Sequence, residues 1–393
     1  MLQEAQTNTG PDGSLADLRR DLHAHPELRF QEVRTAQRIV DEIESSVDHV
    51  VSGICGTGVL ARVDGHAPGR TVLIRADIDA YPVADDKPVA YRSRNAGVSH
   101  ACGHDVHATV GVGVLRHFAR NRPARGAVAV IFQPAEEIPF GAASGAASVL
   151  DSEALRGLRP DAVLGLHCWP QLEVGTIGVE QRIAMAAKDA FEITLHGHSA
   201  HAATPATGRD AILAASTLVG ALHSVVARRR NPHEQVALNV GTIKGGNSQS
   251  ALASRVELTG TLRTHDESVR QRLRGVITEA VAGTGVQFDI TATLRWANEM
   301  PAVVNDAGLV SLAWDSLAGV ADVVDLGPGP LTSDDFALYS AIAPTLYLKL
   351  GVTPPGQTPA PSLHSGAFDV DEACLDVGVA ALSRLCSDIL DGS

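Results

Sequence analysis

His100-Ala101-Cys102-Gly103-His104-Asp105-Val106-His107 is the stretch from which the organisation of this chain is read. Three histidines, a cysteine and an aspartate crowd together among small residues that leave their side chains unobstructed. A thiolate and an imidazole two positions apart are good ligands for zinc or a metal of similar softness. The largely apolar run from Ala108 to Ala119 predicts a helix beginning near Asp105, with the ligands on the loop at its N-terminus. One such loop cannot close a metal site, so distant segments must supply further ligands.

Upstream, Gly58 to Val63 and Thr71 to Ala76 read as strands separated by a turn-rich segment, and the second runs into Asp77-Ile78-Asp79. Downstream, Ala127 to Phe132 reads as a buried strand leading into Gln133-Pro134-Ala135-Glu136-Glu137. Ala162 to Leu166 reads as another, ending at His167-Cys168. Three strands therefore deliver a carboxylate or a ligand at their ends, the position where open α/β sheets carry their sites. Ser14 to Glu44 reads as a helix broken at His25-Pro26-Glu27 and capped by Ser14, and Ala142 to Leu150 as a short helix. The alternation predicts an α/β fold, a mainly parallel sheet flanked by helices.

From Lys188 the pattern changes. Phe191 to His196 alternates as a half-exposed strand does. A helix over 210–228, strands beginning at Gln235 and Arg255, a helix over 268–282 and a strand over 286–294 complete a βαββαβ order. The expected division is a discontinuous catalytic domain, 1–187 plus 297–393, with a smaller α+β lid or dimerisation domain inserted at 188–296. A chain of 393 residues fits two cores. The later strand Thr345 to Leu350 leads through a Gly/Pro-rich loop to Leu363-His364-Ser365.

A formal charge of −13 argues against general nucleic-acid binding, which needs a basic surface. Five cysteines, odd in number and widely spaced, form no disulfide framework and fit a reducing, cytoplasmic setting. The N-terminus lacks the pattern of a signal peptide, and no uninterrupted apolar run long enough to span a bilayer is expected.

Six ordered motifs carry a resemblance: Arg75 to Ala80, His100 to Asp105, Gln133 to Glu137, Gly165 to His167, His198 to His201, and Leu363 to Ser365. In this order they resemble the aminoacylase/carboxypeptidase family of dinuclear metallohydrolases. More narrowly, they are similar to its amidohydrolase branch of hippurate hydrolases and indole-acetyl-amino-acid hydrolases. The resemblance implies Cys102, His104, Glu137, His167 and His364 as metal ligands for two divalent ions per subunit, with zinc, manganese and cobalt as the choices. It implies Glu136 as general base, Asp79 as orienter of a ligating imidazole, and His201 as stabiliser of the tetrahedral oxygen, often reaching a partner subunit's site. The family's dimer forms through the inserted domain, and neither nucleic acid nor membrane is an expected partner. Peptidase branches carry a histidine in the place of Asp77, and here His104 supplies that imidazole.

Arg263 is the candidate clamp for a substrate carboxylate, since a guanidinium pairs with it in bidentate fashion. Asn247 and Ser250 are candidate substrate contacts, Ser250 standing where the family commonly has asparagine. Asp334-Asp335 stands where Glu-Asp is usual, one methylene shorter. The expected activity is hydrolysis of the amide of N-acyl amino acids or related small conjugates. Alternatives are a dipeptidase or carboxypeptidase, an N-carbamoyl amidohydrolase, or a catalytically silent metal-binding protein. A histidine by itself is most often a surface or satisfied residue, the reading taken for His66, His117, His196, His223, His233 and His265. His107 and His25 are read as held by local hydrogen bonds or supporting the site from behind.

Overall fold

The computed structural model describes residues 13–139, 141–357 and 361–392. The chain opens with α1 (Leu15–Ala24) and α2 (Val33–Ile43), separated at His25-Pro26 as the sequence predicts. Ser14 caps α1 by accepting the Asp17 N–H at 3.1 Å. Strands β1 (His49–Ile54), β2 (Gly58–Asp64) and β3 (Thr71–Asp77) precede α3 (His104–Arg120). Then come β4 (Ala127–Gln133), the short α4 (Gly145–Leu150) and α5 (Glu153–Arg156), and β5 (Ala162–Glu173). After β6 (Thr176–Val179) and β7 (Ile183–Met185) follow β8 (Ala187–His196), α6 (Ala211–Arg229), β9 (Val236–Gly245), β10 (Arg255–Thr264), α7 (Glu267–Phe288) and β11 (Thr291–Met300). The remainder holds β12 (Val303–Val304), α8 (Ala307–Leu317), β13 (Asp322–Asp325), β14 (Thr345–Thr353) and α9 (Cys374–Asp391).

The larger sheet runs β1-β2-β4-β3-β5-β14-β6-β13, and its centre, β4-β3-β5-β14, is parallel throughout. Strands covered on both faces must be apolar at every position, and β4 is buried from end to end. The pleat divides it cleanly. Val72, Ile74, Val128 and Val130 join the cluster under α1, α2, α3 and α9, whereas Leu73, Ala129 and Ile131 face Ala146 and Val149 of α4 and the 3₁₀ turn at Asp335–Ala341. The parallel strands deliver their carboxyl ends to one edge, and the ligand loop lies there.

The second sheet, β11-β8-β10-β9, is antiparallel and has its own cluster. Phe191, Ile193, Leu195, Val256, Leu258 and Leu262 meet α6 and α7 on one face; the period of two sends Lys188 and Arg263 to the opposite, helix-free face. Helix α7 runs past the expected end near Ala282 to Phe288, so β11 begins at Thr291 and not at Val286. The stripe Val269, Leu273, Ile277, Val281 continues through buried Thr284 and Gly285, and Asp289, at φ +52°, closes the helix. Strand β5 also extends beyond Leu166, to Glu173.

Helix α6 is long and apolar enough by length and composition to cross a membrane. Here its buried side, Ala211, Ala214, Ala215, Leu218, Leu222 and Val226, covers the second sheet. Its other side exposes Ile212 and Leu213.

Candidate metal centre

The loop before α3 turns into the helix at Gly103, whose φ of +87° suits glycine. A Cβ there would lie 2.7 Å from Cys168 Sγ, so the close approach of loop to β5 excludes any side chain. This contact sets Cys102 and His104 beside His167. From β4, the chain bends at Ala135, which holds φ +55°. Buried Glu32 fixes that bend by accepting the Ala135 N–H at 3.0 Å and the Thr57 hydroxyl at 2.7 Å. Backbone held in this region is costly for a side-chain-bearing residue and marks a shaped site. After the bend both Glu136 and Glu137 line the cleft, with a carboxylate oxygen of each within 4.8 Å of a His104 ring nitrogen. His364, at φ +63°, is pinned by its N–H to Ala101 O at 2.8 Å and stacks on Tyr81 at 4.0 Å between ring centroids.

The expected metal-ligating residues come together. Cys102 Sγ lies 3.5 Å from His167 Nε2 and 3.3 Å from His364 Nε2, and His364 Nε2 lies 2.8 Å from Glu137 Oε1. A tetrahedral zinc site with bonds of about 2.0–2.3 Å separates its ligand atoms by about 3.3–3.8 Å, so the sulfur distances fit a cation between them. Two triads, Cys102/His104/His167 and Cys102/Glu137/His364, share the cysteine, and each could hold a cation. His104 supplies an independent test. Its Nδ1 donates to Asp79 O at 2.9 Å and Oδ1 at 3.2 Å, leaving Nε2 buried and without a hydrogen-bond partner. Asp77 Oδ2 lies 3.5 Å from it without a hydrogen bond, and a buried imidazole nitrogen left so is costly unless something binds it. His167 is fixed the same way, Nδ1 donating to Cys168 O at 2.8 Å.

Asp79 accepts from His104 Nδ1 at Oδ1, 3.2 Å, and from the Glu137 N–H at Oδ2, 2.9 Å. A third acidic and imidazole grouping, Asp77/His104/His107, is different in kind. His107 donates Nδ1–H to Asp77 at 2.5 Å and accepts the Cys168 N–H at Nε2, 2.9 Å, so both of its nitrogens are used. Burial and then the Arg75 guanidinium act on Asp77 in opposite senses, and the cation holds it well below the usual carboxylate range. His25 likewise serves a local bond, to Asp21 O at 2.9 Å.

Glu136 stands over a cleft of about 340 Å³ that also touches Cys102, Glu137, His167 and His364. Burial, and then Glu137, Asp334 and Asp335, push its carboxyl well above the ordinary range, opposed by Arg75. Arg75 is the buried counter-charge that the sequence reading quoted without a role. It contacts Asp77, reaches Asp335 at 2.6 Å and Asp334 at 3.2 Å, and donates Nε–H to Gln133 at 3.0 Å. Tyr347 O–H donates to Asp334 at 2.6 Å, which places the shorter Asp334 in the cleft wall. Glu32, Arg75, Gln133 and Lys188 were not singled out from sequence. A buried-strand arginine beside paired carboxylates was the one available signal.

Arg263 lines the cleft and donates Nη1–H to Leu331 O at 2.9 Å. His201, Asn247 and Ser250 do not line it. All three are exposed, on paired loops joined by the His201–Ala251 bridge and by the Ala202 N–H to Ser250 O at 2.9 Å. Cys168 is buried and its thiol is pushed well up by that burial, which leaves it a packing residue under Gly103.

The model of peptidase family M20/M25/M40 matches residues 73–388, which span the whole of this constellation. The chain belongs to that family. It is 35% identical over 367 residues to an N-acetyldiaminopimelate deacetylase of Geobacillus thermodenitrificans, covering 93% of this chain and 95% of the relative. It is 33% identical to an N-acetylcysteine deacetylase of Bacillus subtilis, covering 96% and 97% of the two chains. Among solved structures it is similar to the Bacillus subtilis YXEP protein, described as a dinuclear metal-binding peptidase of the M20 family. The TM-score is 0.82 at 31% identity, over 96% of this chain and 98% of that one. The family member's fold is a mixed α/β fold with a mostly parallel central sheet, as the strand order shows.

Proposed function

We propose that this M20 member hydrolyses the amide bond of N-acyl amino acids or related small conjugates. The observation that carries the reading is Glu136, set in the cleft wall beside two overlapping ligand triads. Cys102, His104, Glu137, His167 and His364 are the residues that would hold two divalent cations, which when bound supply Lewis acidity toward water and the amide carbonyl. A mixed thiolate, imidazole and carboxylate set suits zinc, manganese or cobalt and not an oxygen cage.

Glu136 takes a proton from the attacking water and returns it to the departing nitrogen. The C–N bond breaks, a carboxylate and a free amine leave, and the base is regenerated. Burial and the neighbouring Glu137, Asp334 and Asp335 raise the Glu136 carboxyl above its ordinary range, which favours its holding the proton between the two transfers. Asp79 keeps His104 and the Glu137 backbone in place, and Arg263 offers its guanidinium to a substrate carboxylate. The names of the relatives, deacetylases of N-acetyl amino acids, support the acyl-amino-acid class.

The inserted unit, 188–296, carries its own sheet and its own apolar cluster, which supports its treatment as a lid or dimerisation domain. The exposed side of α6 and edge strand β9 offer it a surface for a second copy. In that arrangement His201, which does not line its own cleft, serves the tetrahedral oxygen in the partner's. Five unpaired cysteines support a reducing, cytoplasmic setting. The test is a panel of N-acetyl, N-benzoyl, N-carbamoyl and dipeptide substrates, assayed with added manganese, zinc or cobalt. Cleavage of the acyl members is expected. Cleavage of dipeptides or N-carbamoyl compounds alone would move the assignment to that neighbouring class, and no cleavage at all would favour a silent binding protein.

A further inference from the structure

The open face of the second sheet brings two cations to the cleft, and only Arg263 has a place in the reading above. Lys188 on β8 and Arg263 on β10 are direct cross-strand partners. Their side chains therefore leave the sheet on the same side, from Cβ atoms about 5 Å apart in such pairs. Both line the cleft with Glu136 and Glu137. Like charges set directly opposite weaken a sheet, and a neutral residue at either position would relieve the repulsion.

Neither cation has an ion-pair partner among the described residues: burial and then Arg263 act on Lys188 and outweigh the through-space attraction of Glu136 and Glu137. Among the described residues Arg263 has one polar contact, to Leu331 O at 2.9 Å, and Lys188 has no hydrogen bond or ion pair. Three of the four carboxylates lining the cleft are already engaged: Glu137 by His364 at 2.8 Å, Asp334 by Tyr347 at 2.6 Å, and Asp335 by Arg75 at 2.6 Å, the fourth being Glu136. Elsewhere the chain treats buried cations differently. Arg19 rests on Asp105, Arg270 on Asp189 and Lys349 on Glu180. The molecule as a whole, at −13, repels anions, so an anionic substrate needs local positive charge to be held.

One carboxylate satisfies one guanidinium fork. An ammonium alongside has three donors of its own and a second unit of charge to balance. We propose that Lys188 is a specificity-determining residue which, with Arg263, selects N-acyl amino acids whose amino-acid part carries a second acidic group. This inference rests on the N-acyl amino acid reading and sharpens it to a dianionic substrate.

N-acetylglutamate and N-acetylglutamine differ by one charge at nearly constant shape and are the probes. In the metal-loaded wild type kcat/KM is expected to favour the glutamate compound by about tenfold or more. Lys188→Met should bring that ratio close to one, chiefly by raising KM for the diacid, and Lys188→Arg should restore it. Calorimetric titration of glutamate and glutamine into metal-loaded Glu136→Ala, with and without Lys188→Met, should give the same order without turnover. A wild type that shows no preference, or prefers the amide, overturns the proposal, as does a ratio that Lys188→Met leaves unmoved. Cleavage of neutral acyl amino acids alone would overturn it while leaving the parent reading intact. Absence of cleavage across every acyl member would remove both.

Discussion

The two sheets differ in how they hold the side chains proposed for the site. At the carboxyl edge of the parallel sheet, the imidazoles of His104 and His167 are oriented by bonds through the other nitrogen, and Asp79 accepts on both oxygens. On the antiparallel sheet, Lys188 has no hydrogen bond or ion pair among the described residues, and His201, Asn247 and Ser250 are exposed on the adjoining loops. The difference separates chemistry from selection. Groups that hold cations and move a proton must be fixed before substrate arrives, whereas groups that choose the substrate are completed by it or by a second copy of the chain.

Cys102 belongs to both candidate triads, so the largest effect is expected there. Cys102→Ala should abolish turnover and cut metal content, measured by elemental analysis. It should also remove the metal-induced rise in Tm, worth about 3–4 kcal/mol at a metal concentration 100–1,000 times Kd. Retention of both metals would break the contrast between a preorganised and an incomplete region.

His201→Ala is expected to lower kcat by about 10²-fold, the usual cost of losing one oxyanion donor. Because His201 lies outside its own cleft, mixing His201→Ala with Glu136→Ala subunits should regenerate activity that neither has alone. Mixed dimers that stay inactive would place the function of His201 elsewhere.

The smallest effect concerns the ion network behind the ligand loop. His23 donates Nδ1–H to Asp105 at 2.7 Å and Nε2–H to Asp85 at 3.1 Å, and Arg19 donates to Asp105 at 2.8 Å. Burial alone would lower His23, but Asp105 and Asp85 outweigh it and raise it above its ordinary value. Its contribution is therefore full below the unfolded value near 6.5 and fades as pH rises through the folded one. Burial would raise Asp85, but the bonds from His23, Ser93 and Lys87 hold it below the usual range. Its contribution is present above about pH 4 and fades on acidification. In chelated protein, His23→Gln should flatten the alkaline limb of the Tm profile, on the order of 1 kcal/mol. An unchanged limb would assign the pH dependence to other groups.

Legibility followed the same division. The parallel sheet was readable because Val72 to Ile74 and Val128 to Ile131 are continuous apolar runs ending in carboxylates, and the ligands lie at those ends in one order. Helix α7 runs past the expected end at 282 because its buried stripe continues through Thr284 and Gly285, a tertiary contact that no local pattern shows. Glu32 escaped notice because nothing local in Gln31-Glu32-Val33 shows that it will hold a bend more than a hundred residues away. Lys188 escaped because its meaning depends on cross-strand register with Arg263, which sequence alone leaves open.

The most direct measurement is metal stoichiometry and amide turnover on the same samples of wild type and Glu136→Gln. Two divalent ions per chain in both proteins, with kcat in the variant lower by about 10²–10⁴-fold, is the expected result. Full turnover in the variant, or undiminished turnover in metal-stripped wild type, would contradict a Glu136 base working beside a metal pair.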